Sequence, residues 1–273
     1  MFHIGRLDSI HDPRLAPYRT MKRQADHRRD GIFVAEGDKV VHRLLASDLT
    51  VLSVCLPEER LTALEPLLDS RPENVPVFVL PKAELEKLTG YAMYQGVLAV
   101  AKIPPACSLE TLCLPAFPPR LLGALDRINN SENVGAVVRN AAAFGAHGML
   151  AGETSSSPFL RRAVRSSMGS VFNLPVVECS SLVSSLNQLK RAGLRVMGAH
   201  PDGQRMIFEA NLSVSCCIVF GSEGFGISPE VLAVCDETLS IPMSNQVDSL
   251  NVGSAAAAFF CEAHRQRQLA KLA

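Results

Sequence analysis

Short apolar runs recur along the whole chain and alternate with stretches of helical length. In the first half they are GIFVAEG (31–37), TVLSVCL (50–56), VPVFVL (75–80) and QGVLAVAKI (95–103). In the second half they are RLLGALDRI (120–128) and the segments 147–151, 172–178, 194–199, 215–221 and 237–242. Each is short enough for one buried strand, and helix-like segments separate them, so the pattern predicts an α/β layer fold. One such helix, KAELEKLTG (82–90), ends on Gly90, a residue suited to the left-handed C-cap. In the second half helices are expected at 133–144, 158–168, 181–192, 228–235 and 250–271. No internal repeat interrupts the pattern.

The alternation pauses once. Residues 104–119 carry Pro104, Pro105, Pro115, Pro118 and Pro119, which favour an extended backbone. The 273 residues therefore divide into a smaller α/β domain (1–104), a proline-rich linker (105–119) and a larger α/β domain (120–273).

Charge and composition narrow the function. The 27 Lys and Arg balance 27 Asp and Glu, so a polyanionic partner would have to be held by local patches. Two such patches exist. YRTMKRQADHRR (18–29) contains Arg19, Lys22, Arg23, Arg28 and Arg29, and a second cluster holds Arg161, Arg162 and Arg165. A charge run is often a solvated face; two in one chain favour an RNA or phosphate surface. The N-terminus has no apolar h-region and no run of 18 apolar residues occurs, so neither a signal peptide nor a membrane span is expected, and the location is expected to be cytoplasmic. The eight cysteines show no metal-binding spacing and read as buried thiols; no metal is expected.

FGSEGFGISPE (220–230) follows the apolar run CCIVF and precedes a helix, a context that suits a phosphate loop. Its spacing, Gly221-x-x-Gly224-x-Gly226, matches neither the dinucleotide fingerprint nor the P-loop, and no Lys follows Gly226. Glu223 would also repel a phosphate. A loop that admits a carboxylate and brings backbones close suits a neutral or cationic ligand; a plain tight turn is the simpler alternative.

Two further segments give the loop company. NNSENVGAVVRNAAAFGAHG (129–148) places Asn133 as a candidate N-cap and Arg139 on an otherwise apolar helix. Such an arginine needs a partner or a ligand, unless it reaches solvent. IPMSNQVDSLNVGSAAAAF (241–259) offers Ser249 or Asn251 as the cap of the last helix, whose small residues admit close packing.

Together, N-x-G-x-x-x-R (133–139), G-x-E-x-x-G (221–226) and I-P-M…S-L-N-V (241–252) resemble the three ordered motifs of the SpoU (TrmH) RNA ribose 2′-O-methyltransferases of the SPOUT superfamily. SSMGSVFNLPV (166–176) resembles the stretch between the first two. Asn130-Ser131 departs from the Asp-Pro found at this point in many members. More loosely, FVAEGDKVVHRLL (33–45) and QGVLAV (95–100) resemble the L30e-like substrate-binding domain that precedes many SpoU domains.

The resemblance implies a C-terminal α/β domain with a deep trefoil knot, a departure from the usual unknotted chain. It implies S-adenosylmethionine as cofactor, contacted by Gly221, Ile241, Leu250 and, less directly, Ala199. It implies Arg139, Asn133, Glu223, Ser249 and Asn251 as catalytic residues. The family's motif arginine is described as a base, but guanidinium groups stay protonated in proteins, so an electrostatic clamp on the 2′-oxygen and its phosphate is the preferred role. Asn133 and Glu223 would orient Arg139, and Ser249 and Asn251 would position the ribose or close the cofactor loop. The implied partners are RNA, ribosomal before transfer RNA, and a second copy of the chain in a homodimer.

Three rivals compete. A nicotinamide-dependent oxidoreductase lacks its glycine fingerprint. A non-catalytic RNA-binding or resistance-type module is disfavoured by the intact Arg139, Glu223 and Asn251. A SPOUT base methyltransferase would differ in its product.

Overall fold

The computed structural model describes residues 2–90, 96–113, 119–245 and 247–271, which form two compact units. The first comprises residues 1–105 together with 159–172, and the second comprises 106–158 and 173–273.

The first unit is built on a five-stranded sheet of β1 (Phe2–Arg6), β2 (Ile32–Glu36), β3 (Val51–Leu56), β4 (Val75–Val79) and β5 (Leu98–Lys102), in the order β1-β4-β3-β5-β2. β1, β4 and β3 run parallel, and β5 runs antiparallel to both of its neighbours. Its core joins Leu15, Tyr18, Val34, Cys55, Phe78, Leu98 and Val100. Tyr18 is fully buried, and its hydroxyl shares a 2.8 Å hydrogen bond with Ser53 Oγ, which offsets its desolvation. Helix Lys82–Thr89 closes on Gly90 at φ 83°, the left-handed cap expected of it. The periodicity offered no hint of β1, because FHIGR, an edge strand, has a half-exposed face and no clear apolar run.

The second unit is a seven-stranded, wholly parallel sheet. Its strands are β6 (Leu121–Leu125), β7 (Gly148–Ala151), β8 (Val176–Glu178), β9 (Arg195–Ala199), β10 (Arg205–Met206), β11 (Cys216–Phe220) and β12 (Glu237–Ser240), in the order β10-β12-β9-β11-β6-β7-β8. The central strands β6 and β11 are buried at every position, which is why they read as continuous apolar runs. Helix Ser131–Ala143 packs on the final helix, Val252–Ala270, as its small residues allow: a Cβ on Gly253 would stand 2.9 Å from Ala136 Cβ. Phe220 meets Phe259 edge-to-face and Phe260 at a tilt, at 5.8 and 5.5 Å between ring centroids, tying β11 to that helix.

Some boundaries differ from expectation. The strand expected over 172–178 is reduced to Val176–Glu178, because Ser170–Phe172 forms a 3-10 turn. The helix expected over 158–168 is Arg161–Ser166, and it packs on β2 in the first unit although it follows β7 in sequence. The proline-rich linker contains a short helix, Leu109–Cys113, whose Leu112 enters the core of the second unit. Residues 114–118 of that linker and Gln95 of the QGVLAVAKI run lie outside the described residues. Cys55, Cys179, Cys216 and Cys217 are buried, as expected, whereas Cys107 and Cys235 are half-buried and Cys261 is exposed. Among the described residues, no helix is long and apolar enough to cross a membrane.

Candidate active site

Parallel strands place their following loops along one edge of the sheet, where sites of α/β domains gather. The loops after β9, β11 and β12 line one cavity of about 360 Å³. Ala199, Gly221, Ile241 and Leu250, the four expected cofactor contacts, all line it, and so do Glu223 and Ser249. Phe220, Val252 and Phe259 supply apolar wall.

The loop after β11 explains its glycines by closeness of backbone. A Cβ on Gly221 would stand 2.1 Å from Gly226 C and 2.2 Å from Ile227 N, so no side chain fits there. Ser222 and Gly226 exchange backbone hydrogen bonds (3.1 and 2.8 Å), and Gly226 takes φ 64°. Below the loop, the buried Asp126 at the end of β6 accepts the Ser228 N–H at 2.6 Å.

Asn251 joins the three motif segments. Its Oδ1 accepts the Gly253 N–H at 2.9 Å and so caps the final helix. Its Nδ2 donates to Glu223 Oε1 at 2.5 Å and to Asn133 Oδ1 at 3.1 Å. The open choice between Ser249 and Asn251 as the cap falls to Asn251. Ser249 is exposed and makes no hydrogen bond among the described residues.

Asn133 is not the cap of its helix. Asn130 is, accepting the Glu132 N–H at 2.9 Å, so the Asn130-Ser131 departure still provides a working helix start. Asn133 lies inside the first turn and is buried, free to serve Asn251. Arg139 is exposed and has no hydrogen bond or ion pair among the described residues. Six positions separate it from Asn133, so the two project from different faces of the helix. Among the described residues, Asn133 and Glu223 therefore do not orient Arg139 as expected; both partner Asn251 instead.

Several neighbours escaped the sequence reading. His200, Ser222 and Phe225 also line the cavity. Their signal was position alone, at the C-terminal ends of parallel strands. Asn140 donates to the Gly253 carbonyl at 2.7 Å, pinning the two helices together; its spacing of seven from Asn133 places it on the same helix face.

The cations expected to grip RNA divide by their neighbours, and all lie in the first unit. Arg19 donates to the carbonyls of Ile10 and Asp12 at 2.7 and 2.6 Å, and Arg29 pairs with Asp26 and Asp30. Arg161 pairs with the buried Glu36, and Arg165 lies 3.1 Å from the same carboxylate. Lys22, Arg23, Arg28 and Arg162 are exposed.

The chain belongs to the SpoU rRNA methylase family, whose model matches residues 121–261, and an RNA 2′-O ribose methyltransferase substrate-binding model matches 34–106. An "uncharacterized tRNA/rRNA methyltransferase" of Mycobacterium ulcerans is 34% identical over 221 residues, covering 77% of this chain and 68% of the relative. The SpoU methyltransferase AviRb of Streptomyces viridochromogenes, solved in complex with the cofactor AdoMet, superposes with a TM-score of 0.79 at 26% identity over 93% of this chain and 99% of that one. An RNA 2′-O ribose methyltransferase superposes with a TM-score of 0.80 at 25% identity over 97% and 100% of the two chains. The expected fold class, a SPOUT α/β domain with its trefoil knot, preceded in sequence by a smaller α/β domain, is the fold of this chain.

Proposed function

We propose that the protein methylates a ribose 2′-hydroxyl in structured RNA, ribosomal RNA before transfer RNA, with S-adenosylmethionine as methyl donor. The observation that carries this reading is the Asn251 hub, which ties all three motif segments together beside the cavity. The residues present suit the cofactor. The apolar wall of Phe220, Ile241, Leu250 and Val252 fits a purine, and the Glu223 carboxylate fits a positive group. Gly221, Ile241, Leu250 and Ala199 would hold it. Bound there, S-adenosylmethionine supplies an electrophilic methyl on a sulfonium.

The acceptor is a weakly acidic alcohol, so its developing negative charge must be stabilised. Arg139 is a cation free of internal partners among the described residues, suited to clamp the 2′-oxygen and its phosphate. The proton passes to that phosphate or to water. Asn133 and Glu223 act by holding Asn251, and Ser249 meets the ribose. Lys22, Arg23, Arg28 and Arg162, together with Arg19, Arg29, Arg161 and Arg165, form the RNA-gripping surface of the first domain. The enzyme works as a homodimer in the cytoplasm, where its RNA is found.

The test is methyl transfer from labelled S-adenosylmethionine to unmodified ribosomal and transfer RNA transcripts, followed by digestion to nucleosides. A 2′-O-methyl nucleoside supports the reading, and a methylated base overturns it. A monomer by light scattering would remove the dimer.

A further inference from the structure

We propose that Arg127 is an RNA-phosphate contact of the catalytic domain, set at the edge of the cavity; the inference rests on the RNA methylation reading above. Arg127 follows the last residues of β6, the strand paired in register with β11 up to Leu125 and Phe220. Asp126 N donates to Phe220 O at 2.9 Å, so Arg127 leaves the sheet beside Gly221 and Ser222, which line the cavity.

Three observations single it out. Its backbone takes φ 56°, a left-handed conformation that favours glycine and that a long side chain occupies only against strain. Its Nε is buried without a hydrogen-bond partner among the described residues. Its one described ion pair is loose, at 3.8 Å from Asp126 Oδ2, and that same oxygen already accepts the Ser228 N–H. The side chain as a whole is 35% exposed although Nε is buried. A strained residue with unused donors at a site edge is a mark of function rather than of packing. A guanidinium fork is the side chain best matched to a phosphate, and RNA presents a phosphate next to every ribose. Arg127 would thus hold the backbone flanking the target nucleotide.

The strain makes the test specific. Arg127→Gly removes the charge and suits the φ, so a packing role and a binding role predict different results. The probe is an unmodified large-subunit ribosomal RNA transcript, bound by wild type, Arg127→Gly and Arg127→Lys at several potassium chloride concentrations. Binding should weaken roughly 5–10-fold in the glycine variant, and the slope of log affinity against log salt should shrink by nearly one, as for one lost phosphate contact. Lysine should restore most of the slope, while the Tm of the glycine variant and its affinity for S-adenosylmethionine should not fall. An unchanged slope overturns the proposal, and so does a lowered Tm that accompanies the weaker binding. The slope is read without turnover, so a wild-type enzyme that forms no 2′-O-methyl nucleoside would sink the proposed function and leave this measurement to decide Arg127.

Discussion

Asn251 holds Glu223: the asparagine Nδ2 lies 2.5 Å from the glutamate Oε1, while its Oδ1 caps the final helix through Gly253 N–H. One side chain therefore does two jobs, and substitution can separate them. Asn251→Asp keeps the capping acceptor and sets two carboxylates together. It should leave Tm within a few degrees of wild type and lose methyl transfer. Asn251→Ala should lose methyl transfer too, and about 1 kcal/mol of stability with the cap. Equal Tm values for the two variants would show that the cap matters little.

Arg139 is exposed and without internal partners among the described residues, so its removal should barely touch the fold. Arg139→Ala should change stability by less than about 0.5 kcal/mol. Loss of the clamp should raise the barrier by roughly 2–4 kcal/mol and bring transfer close to background. Calorimetric titration with S-adenosylmethionine should give near-normal affinity. A collapse of that affinity would make the arginine structural.

Gly221 tests the close-packed cofactor loop. A Cβ there would meet Gly226 C at 2.1 Å and Ile227 N at 2.2 Å, and backbone cannot yield as a side-chain tip can. Gly221→Ala should cost about 3 kcal/mol and abolish cofactor binding. Gly224, where an added methyl would meet nothing within 4 Å, is the control: Gly224→Ala should bind the cofactor.

Glu36 anchors helix Arg161–Ser166 to β2 inside the first unit. The carboxylate is buried and meets both Arg161 and Arg165. Glu36→Gln leaves the mostly buried Arg161 uncompensated, at a cost of about 3 kcal/mol. Amide hydrogen exchange of that helix should quicken, while exchange in β6 and β11 stays slow.

His147 gives the second unit an acid-sensitive element. Burial first, then the charges of Arg120 and Arg267, hold its pKa below the ordinary histidine value, and its Nδ1 accepts the Leu121 N–H at 3.1 Å. The unfolded chain therefore takes up a proton that the folded one refuses. The stabilisation is complete above the unfolded value of about 6.5 and is lost as pH falls through it toward the lower folded value. Tm measured across this range should fall with acid, and His147→Gln should flatten the fall. His27, also lowered by burial, leaves a residual slope from the first unit.

The amino-acid sequence alone set the α/β alternation, because buried parallel strands such as Leu121–Leu125 and Cys216–Phe220 are apolar at every position. It determined the Gly90 cap and the ordered motifs, because glycines and capping residues act locally. It named six of the residues that line the cavity, Ala199, Gly221, Glu223, Ile241, Ser249 and Leu250. Tertiary structure decided how they connect. The choice of Asn251 over Ser249 as cap, of Asn130 over Asn133, and of Asn251 rather than Arg139 as partner of Glu223 each depends on distances between residues far apart in the chain or on the phase of one helix. It also moved helix Arg161–Ser166 into the first unit, where Arg161 meets a buried glutamate 125 positions away. A charge cluster reads the same in sequence whether it faces solvent or a carboxylate, because the partner's proximity exists only once the chain has folded.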